Sequence, residues 1–395
     1  MRNRNLMRPV LAGALALVTS GGVHAISFTQ GAWTLDINGT VNGFYTDTRC
    51  SNNVGAANWA PFSACNAVGN ANKTTSIENG FLPAWIHFIA TTRTNNLDVE
   101  AHIGFAPGIS NPSIFAGQRI AGAETVGDVR NAYLKFGDAS WGSVKVGRDA
   151  GLFQREGTFS DMTVPGVGTQ AFSAGALNTT FGQVGEGYIY MSFQPQITYA
   201  SPVIRGFQGA IGVFQPVDIG SQYTIHTQPM LQGLATYEFG SPTAVNGKLW
   251  TSFVTQRAEQ PDTGATATAN GYELGGRVSW SGITANLSGF KGKGIGDAIL
   301  FLNATDPAGK RYRTEGFLGN ISFNPIASTK VGFQYGETRN KDIAGAKNKA
   351  WVLGVYHDLA PGLKLVAEYI DHKTEQSGAP EARAKTFAVG AILFF

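Results

Sequence analysis

The chain has 395 residues and only 14% of them are charged, well below the ~25% usual for soluble proteins. Removing Arg2, Arg4 and Arg8 with the leader described below leaves 27 basic against 27 acidic residues. That neutral balance excludes the clustered basic surface a nucleic-acid partner requires, and the 51 glycines and 25 phenylalanines suit strands that face lipid on one side and water on the other.

Taken in order, residues 1–25 read as a secretory signal peptide. Arg2, Arg4 and Arg8 supply its charged start, residues 11–18 its apolar stretch, and Val23-His24-Ala25 its cleavage site. The apolar stretch is shorter than the about 20 residues of a transmembrane helix. Residues 26–395 then read as one transmembrane barrel. The clearest strand is 33–46, where Trp33, Leu35, Ile37, Val41 and Tyr45 share one parity and Thr34, Asp36, Asn38, Thr40 and Asn42 the other. A polar loop, 47–79, holds Cys50 and Cys65. After export these two meet an oxidising compartment, and a disulfide is expected. Closing such a loop is worth about 3 kcal/mol in the chain-entropy account. Two cysteines without a nearby histidine do not make a metal site, and no cofactor is expected.

Strands follow at 81–91 and 97–105, then a hairpin of 130–136 and 141–148 around a tight turn. The next segment, 149–187, has no sustained period, yet it carries Leu152, Phe153, Phe159, Met162, Val164, Val167, Phe172 and Phe181. A long irregular loop is usually functional, and one this apolar needs cover. It reads as a constriction loop folded into a lumen. Further strands are predicted at 188–199, 207–214, 230–239, 248–256, 271–280, 283–290, 315–323, 329–338, 350–358, 363–370 and 385–395. Short turns alternate with longer loops at 257–270, 291–314, 339–349 and 371–384. The fold class is therefore all-β: an antiparallel transmembrane β-barrel of about sixteen strands with an inward-folded loop. A barrel that wide leaves an aqueous channel. Trp33, Tyr45, Trp141, Tyr199, Trp280 and Trp351 sit at strand ends, where interfacial aromatics form girdles. A secreted β-sandwich would not show such lopsided loops.

Three features then resemble the Gram-negative general porin family. The last strand ends in Phe395 after alternating apolar residues. The hairpin 130–148, with Gly142 and the Val146-Gly147-Arg148 ending, is similar to that family's fourth and fifth strands. The run Ser160-Asp161-Met162-Thr163-Val164-Pro165-Gly166 resembles its constriction loop. The resemblance implies a homotrimer in the outer membrane of a Gram-negative cell, surrounded by its lipids. It implies passive diffusion of ions and small hydrophilic solutes, and a terminal Phe395 read by the outer-membrane assembly machinery. It also implies loop carboxylates set against wall arginines, whose field is focused in the narrow bore.

Carried over residue by residue, the loop acid falls on Asp161 and a wall arginine on Arg130. The second loop acid falls at Gly166 and is absent, while Trp85 and Thr40 stand where the family has wall basic residues. Arg155 and Glu156, on the same loop, can replace the missing charge; Lys135 and Arg148, on the hairpin, complete the expected constriction. One conflict stays open. The apolar parity of Ala132, Leu134 and Phe136 turns Arg130 outward and Lys135 inward, whereas the resemblance wants Arg130 inside. His87 and His102 read as polar lumen residues, since no convergent third group makes a metal or catalytic site. Residues 292–297 read as a flexible outer loop, because they lack the strand-to-helix setting of a phosphate cradle. Glu273 and Arg277 read as lumen charges. No spacing of nucleophile, base and orienting group suggests an enzyme. The alternative to a general porin is a substrate-selective channel in which Trp85 and the loop phenylalanines bind a flatter solute.

Overall fold

The computed structural model describes residues 25–52, 55–69, 71–109, 128–170 and 179–395. The expected signal peptide, apart from Ala25, lies outside the described residues. Alternating sequence becomes strand in chain order: β1 Ile26–Gln30, β2 Trp33–Ser51, β3 Lys73–Glu78, β4 Trp85–Thr94, β5 Leu97–Ala106, β6 Asp128–Asp138, β7 Gly142–Ala150, β8 Phe193–Ala200 and β9 Phe207–Phe214. The far side continues with β10 Met230–Gly240, β11 Asn246–Glu259, β12 Thr266–Trp280, β13 Ile283–Lys293, β14 Arg313–Ile326, β15 Thr329–Asn340, β16 Lys347–Ala360, β17 Leu363–Glu375 and β18 Ala382–Phe394. A single helical turn, α1 (Arg155–Phe159), lies between β7 and β8.

These segments form sixteen staves. Both β3 and β4 lie end to end on one edge of β2, through Asp47↔Thr75 and Asp36↔Ile89. On its other edge, β1 and β18 do the same. Antiparallel pairing runs stave to stave, and β18 against β2 closes the ring. Among the described strands, closure leaves no sheet edge without a neighbour, which is what a lipid environment demands. At the seam, Phe395 exchanges backbone bonds with Gly39, at 2.9 and 3.1 Å. A Cβ on Gly39 would strike the Trp85 carbonyl, so only glycine lets the three strands meet there.

The apolar parity faces outward. Val41, Leu134, Ile197, Leu274, Leu287 and Leu353 are all exposed, as they must be against hydrocarbon. Of the expected girdle, Trp33, Tyr45, Trp141, Tyr199 and Trp280 are exposed on this face; Trp351 is half-buried between Phe333 and Tyr369. Stave height differs around the ring. Strands β4 to β9 have 8–11 residues and β14 to β18 have 12–14.

Several expected boundaries move. The polar loop begins only after Ser51, because its supposed first residues extend β2, and β3 takes up Lys73–Glu78. Asp149 and Ala150 belong to β7, whereas 188–192 remain loop, so the inward segment is described over 151–170 and 179–192; Phe172 lies outside the described residues. Residues 291–314 are not an outer loop throughout. Lys291–Lys293 and Arg313–Thr314 are strand, and between them Ile295, Ala298 and Phe301 are buried. Gly294 and Gly296, at φ 72° and 83°, make the reversals that turn this loop inward. The apolar side chains decide its course, since only the lumen offers them cover.

Candidate functional site

The inward parity is mostly polar, and segment 151–192 bonds to it from β10 round to β2. Gln232 Oε1 accepts from the backbone N–H of Leu152 and Phe153, at 2.8 and 2.9 Å. Ser252 Oγ accepts from Gln154 N at 3.2 Å. Asn320 Nδ2 donates to Ser160 O, and Gln334 Oε1 accepts from Met162 N, at 2.8 and 2.7 Å. Glu368 Oε2 accepts from Val167 N and Gly168 N, at 2.9 and 2.8 Å. Gln170 Nε2 donates to Thr46 Oγ1 of β2 at 2.8 Å. An irregular buried segment has backbone donors and acceptors to satisfy, and these wall side chains serve as its partners.

Beneath the segment the lumen is packed. Leu152, Phe153 and Ile189 join Trp250, Phe290, Ile295 and Phe301 in one apolar cluster. Met162 and Val167 join Val352, Tyr356 and Ile370 in another. The loop of 294–312 locks to it, with Tyr190 N donating to Ala298 O at 2.7 Å. The first loop arrives too. Cys50 and Cys65 form a disulfide with Cα atoms 5.4 Å apart, and Phe62 beyond it packs edge-on against Phe181 at 4.5 Å. Two loop carboxyls carry the mark of this enclosure. Burial pushes Glu186 well above the ordinary carboxyl range and raises Asp297 to about 8. The same burial raises the Tyr188 hydroxyl.

Away from this packed half, the wall of β4 to β8 carries charges in pairs. Lys135 bonds Glu100 and Lys145 bonds Asp149. Asn131 Nδ2 also donates to Asp149, at 2.8 Å. A chain of polar rings crosses the same wall: His87 Nδ1 to His102 Nε2 at 2.8 Å, His102 Nδ1 to Tyr133 OH at 2.9 Å, and Tyr133 OH donating to Glu100 at 2.7 Å. Lys145 Nζ sits 4.7 Å from the centre of the Tyr133 ring.

Each expected constriction residue can now be placed. Arg130 and Lys135 both face inward, because the β5–β6 register slips between Gly104 and Phe105. That bulge adds one residue and flips Arg130 while Lys135 keeps its parity. Arg130 Cζ lies 5.6 Å from both the Trp85 and Phe193 rings, and its Nε donates to Asp128 at 2.8 Å. Trp85 is inward as well, beside His87. Thr40, its register partner, donates to Pro83 O at 2.9 Å. Arg155 and Glu156 open the helical turn α1, and Glu156 pairs with Lys248 of β11 at 2.7 Å.

Two residues fall elsewhere than expected. Arg148 shares its face with Val146 and points away from the bore, because β7 has no bulge to flip it. Asp161 is only 3% exposed. Its carboxylate receives Thr163 N, Gln183 N, Tyr188 OH and Gln334 Nε2, at 2.9, 2.8, 2.7 and 2.5 Å. It folds the loop and holds it to β15 without facing the water path. At Gly166 a Cβ would collide with the Glu368 carboxylate, so the acid missing from the loop has a wall acid in its place.

Glu273 is also enclosed, accepting from Trp250 Nε1 and Ser252 Oγ at 3.0 and 2.6 Å, while Arg277 is exposed near the turn rim. The residues overlooked in the sequence are the wall acceptors Gln232, Gln334 and Glu368 and the pairs of Lys145 and Lys248. Their inward parity was visible; the partners of Gln232, Gln334, Glu368 and Lys248, 79 to 201 residues away, were not.

Comparison with known proteins places this architecture. The family described as Gram-negative porin matches residues 12–377. A search of curated proteins finds no match. Among solved structures, the outer membrane channel DcaP of Acinetobacter baumannii superposes with a TM-score of 0.68 at 11% identity, covering 95% of this chain and all (100%) of that one. An anion-selective porin from Comamonas acidovorans gives 0.63 at 14%, covering 92% and 100%. The trimer form of OmpT, an outer membrane protein of Vibrio cholerae, gives 0.56 at 14%, covering 92% and 100%. At these identities the likeness is one of fold.

Proposed function

This chain belongs to the Gram-negative porin family, and we propose that the half of its lumen left open by the inward loops is the filter of a passive channel for ions and small hydrophilic solutes. The observation that carries this reading is the division of the inner wall. Carboxylates under the loop are bonded away, whereas Lys135, Glu100, Lys145, Asp149 and Arg130 line the open side with 11–16% of each side chain accessible. Charges of both signs in a narrow low-dielectric bore orient dipolar solutes and tune ion preference. Asp161, Glu156 and Arg155 complete the proposed constriction differently: Asp161 by fixing the loop, Glu156 and Arg155 by facing Lys248 and the bore. Reconstituted in a planar bilayer, the protein should give stepwise conductance that scales with salt; silence at every salt concentration would end the reading. The same preparation should show no hydrolysis of ester or peptide substrates.

The outer face supports a homotrimer. On the short side, a row of Ala101, Leu134, Val146, Ile197 and Val213 runs in register across β5 to β9 without a charge. A second copy can cover such a face, as the trimer form of the Vibrio cholerae protein suggests. Short turns then face the periplasm and long loops the exterior, with export by the cleaved leader and insertion guided by Phe395. A substrate-selective channel is the second reading, favoured by Arg130 between Trp85 and Phe193. Current blockade by one flat solute and not by others would establish it.

A further inference from the structure

The inner wall has a gap in one row of side chains. Gly104 of β5 stands in register between His87 of β4 and Asn131 of β6, and His102 lies two residues along β5 on the same inward face. With no side chain at Gly104, its neighbours turn into the space. A Cβ there would lie 2.8 Å from Asn131 Oδ1, 2.9 Å from Trp85 Nε1 and 3.0 Å from His87 Nδ1. His102 Nε2 reaches the same spot, 2.8 Å from His87 Nδ1. These four residues are only 4–8% exposed. Among the described residues neither Asn131 Oδ1 nor Trp85 Nε1 has a hydrogen-bond partner, and buried polar atoms are rarely left so.

The bonds around the gap fix which atoms carry lone pairs. Asn131 Nδ2 donates to Asp149 at 2.8 Å, which turns the amide oxygen toward the gap. Tyr133 OH gives its one hydrogen to Glu100 at 2.7 Å, so it accepts from His102 Nδ1 at 2.9 Å. His102 Nε2 therefore bears a lone pair, aimed at His87. A histidine whose second nitrogen donates to an outer hydrogen-bonded group is the usual form of a metal ligand. In the sequence the two histidines lack a third group; strand register supplies it in Asn131.

We propose that His87 Nδ1, His102 Nε2 and Asn131 Oδ1 bind a divalent copper ion. Two nitrogens about 2.0 Å from one ion lie about 2.8 Å apart at a right angle and about 3.3 Å apart at the tetrahedral angle. The observed 2.8 Å is the right-angle value, which suits the tetragonal site of copper(II) and not the tetrahedral site of zinc. In the bound form His87 carries its single proton on Nε2, so the nitrogens that face the ion are bare. The fourth position, beside Trp85 Nε1, takes an anion such as chloride, which accepts the indole N–H. Ion and anion together give both orphaned atoms a partner. The inference needs only the fold; it does not depend on what the channel conducts.

Electron paramagnetic resonance of the full-length, untagged protein in detergent tests it, with copper(II) added to one equivalent. Wild type should give one tetragonal signal coupled to two imidazole nitrogens. His87→Gln and His102→Gln should each bind copper tenfold or more weakly, since even the outer partners of metal ligands are worth roughly that much. Gly104→Ala, which removes no ligand but fills the gap, should lose binding to the same extent, while His226→Gln with His357→Gln binds as wild type. An unchanged unfolding temperature shows that each variant has formed its barrel. Where one does not fold, the wild-type spectrum decides, because coupling to fewer than two imidazole nitrogens overturns the proposal. Wild-type affinity in any of the three gap variants, or loss of binding in the His226 and His357 double variant, would overturn it too. So would the absence of bound copper, which would leave the gap to a bridging water.

Discussion

The two halves of the inner wall are built by one rule and used for opposite ends. Both place polar side chains on the inward parity. From β10 to β17 those side chains meet the backbone of a folded-in loop, and Glu368, Gln334 and Gln232 become fasteners with no water contact. From β4 to β8 Lys135 pairs with Glu100 and Lys145 with Asp149, and among the described residues no backbone group of the inward segment bonds to these four side chains. A charge on the inner wall of a barrel is therefore not a filter residue by its parity alone. What lies over it decides.

The comparison breaks most severely if a fastener is removed. Glu368→Ala leaves two backbone N–H groups and the Tyr356 hydroxyl without their acceptor, and each buried donor so orphaned costs about 1–3 kcal/mol. The loop should lift from β17, seen as a higher and noisier single-channel conductance; an unaltered conductance would mean that the loop is held by packing alone. Gly336→Val attacks a second contact between the inward segment and the wall, because a Cβ there meets the Glu186 carbonyl. Overpacking of this kind costs about 1–3 kcal/mol, measurable as a lower temperature of barrel unfolding with the conductance change in the same direction.

The open half should answer in selectivity and not in stability. Lys145→Glu and Lys135→Glu each reverse a bore charge, and a unit charge at 4 Å in water is worth about 1 kcal/mol. The reversal potential under a salt gradient should shift toward cation preference for both, and no shift in either would remove this wall from the filter. Arg148→Gln, with its side chain outside, and Asp161→Asn, with its carboxylate enclosed, should leave that potential nearly unmoved.

A smaller, pH-dependent difference sharpens the contrast. The Asp297 carboxyl, at about 8 in the folded loop against an ordinary 3.8, binds its proton more tightly folded than unfolded. Stability from this group is therefore greatest below its ordinary value and declines as pH rises to about 8. Asp297→Asn should flatten the fall in unfolding temperature across that window, and an identical pH profile would show that the carboxyl is wetter than its burial implies.

Alternation of side chains along each stave was legible in the primary structure, as were the short-turn and long-loop rhythm and the cysteine bridge. Each is local: period 2 is a property of the extended chain, and turns form from adjacent residues. The inward course of 151–170 and 179–192 was also foreseeable, since so many apolar groups in an irregular stretch need cover. Only the closed ring could decide which wall that stretch lies against, and hence that Asp161 is a clasp and Lys145 a bore charge. It decided Arg130 too, through a one-residue slip between β5 and β6 that no periodicity in β6 records. The inward turn of 294–304 belongs with these, because its buried partners Trp250 and Phe290 and its contact at Tyr190 are brought together only by barrel closure. Local pattern sets which way a side chain points; the long-range meeting of loop and wall sets whether it meets water.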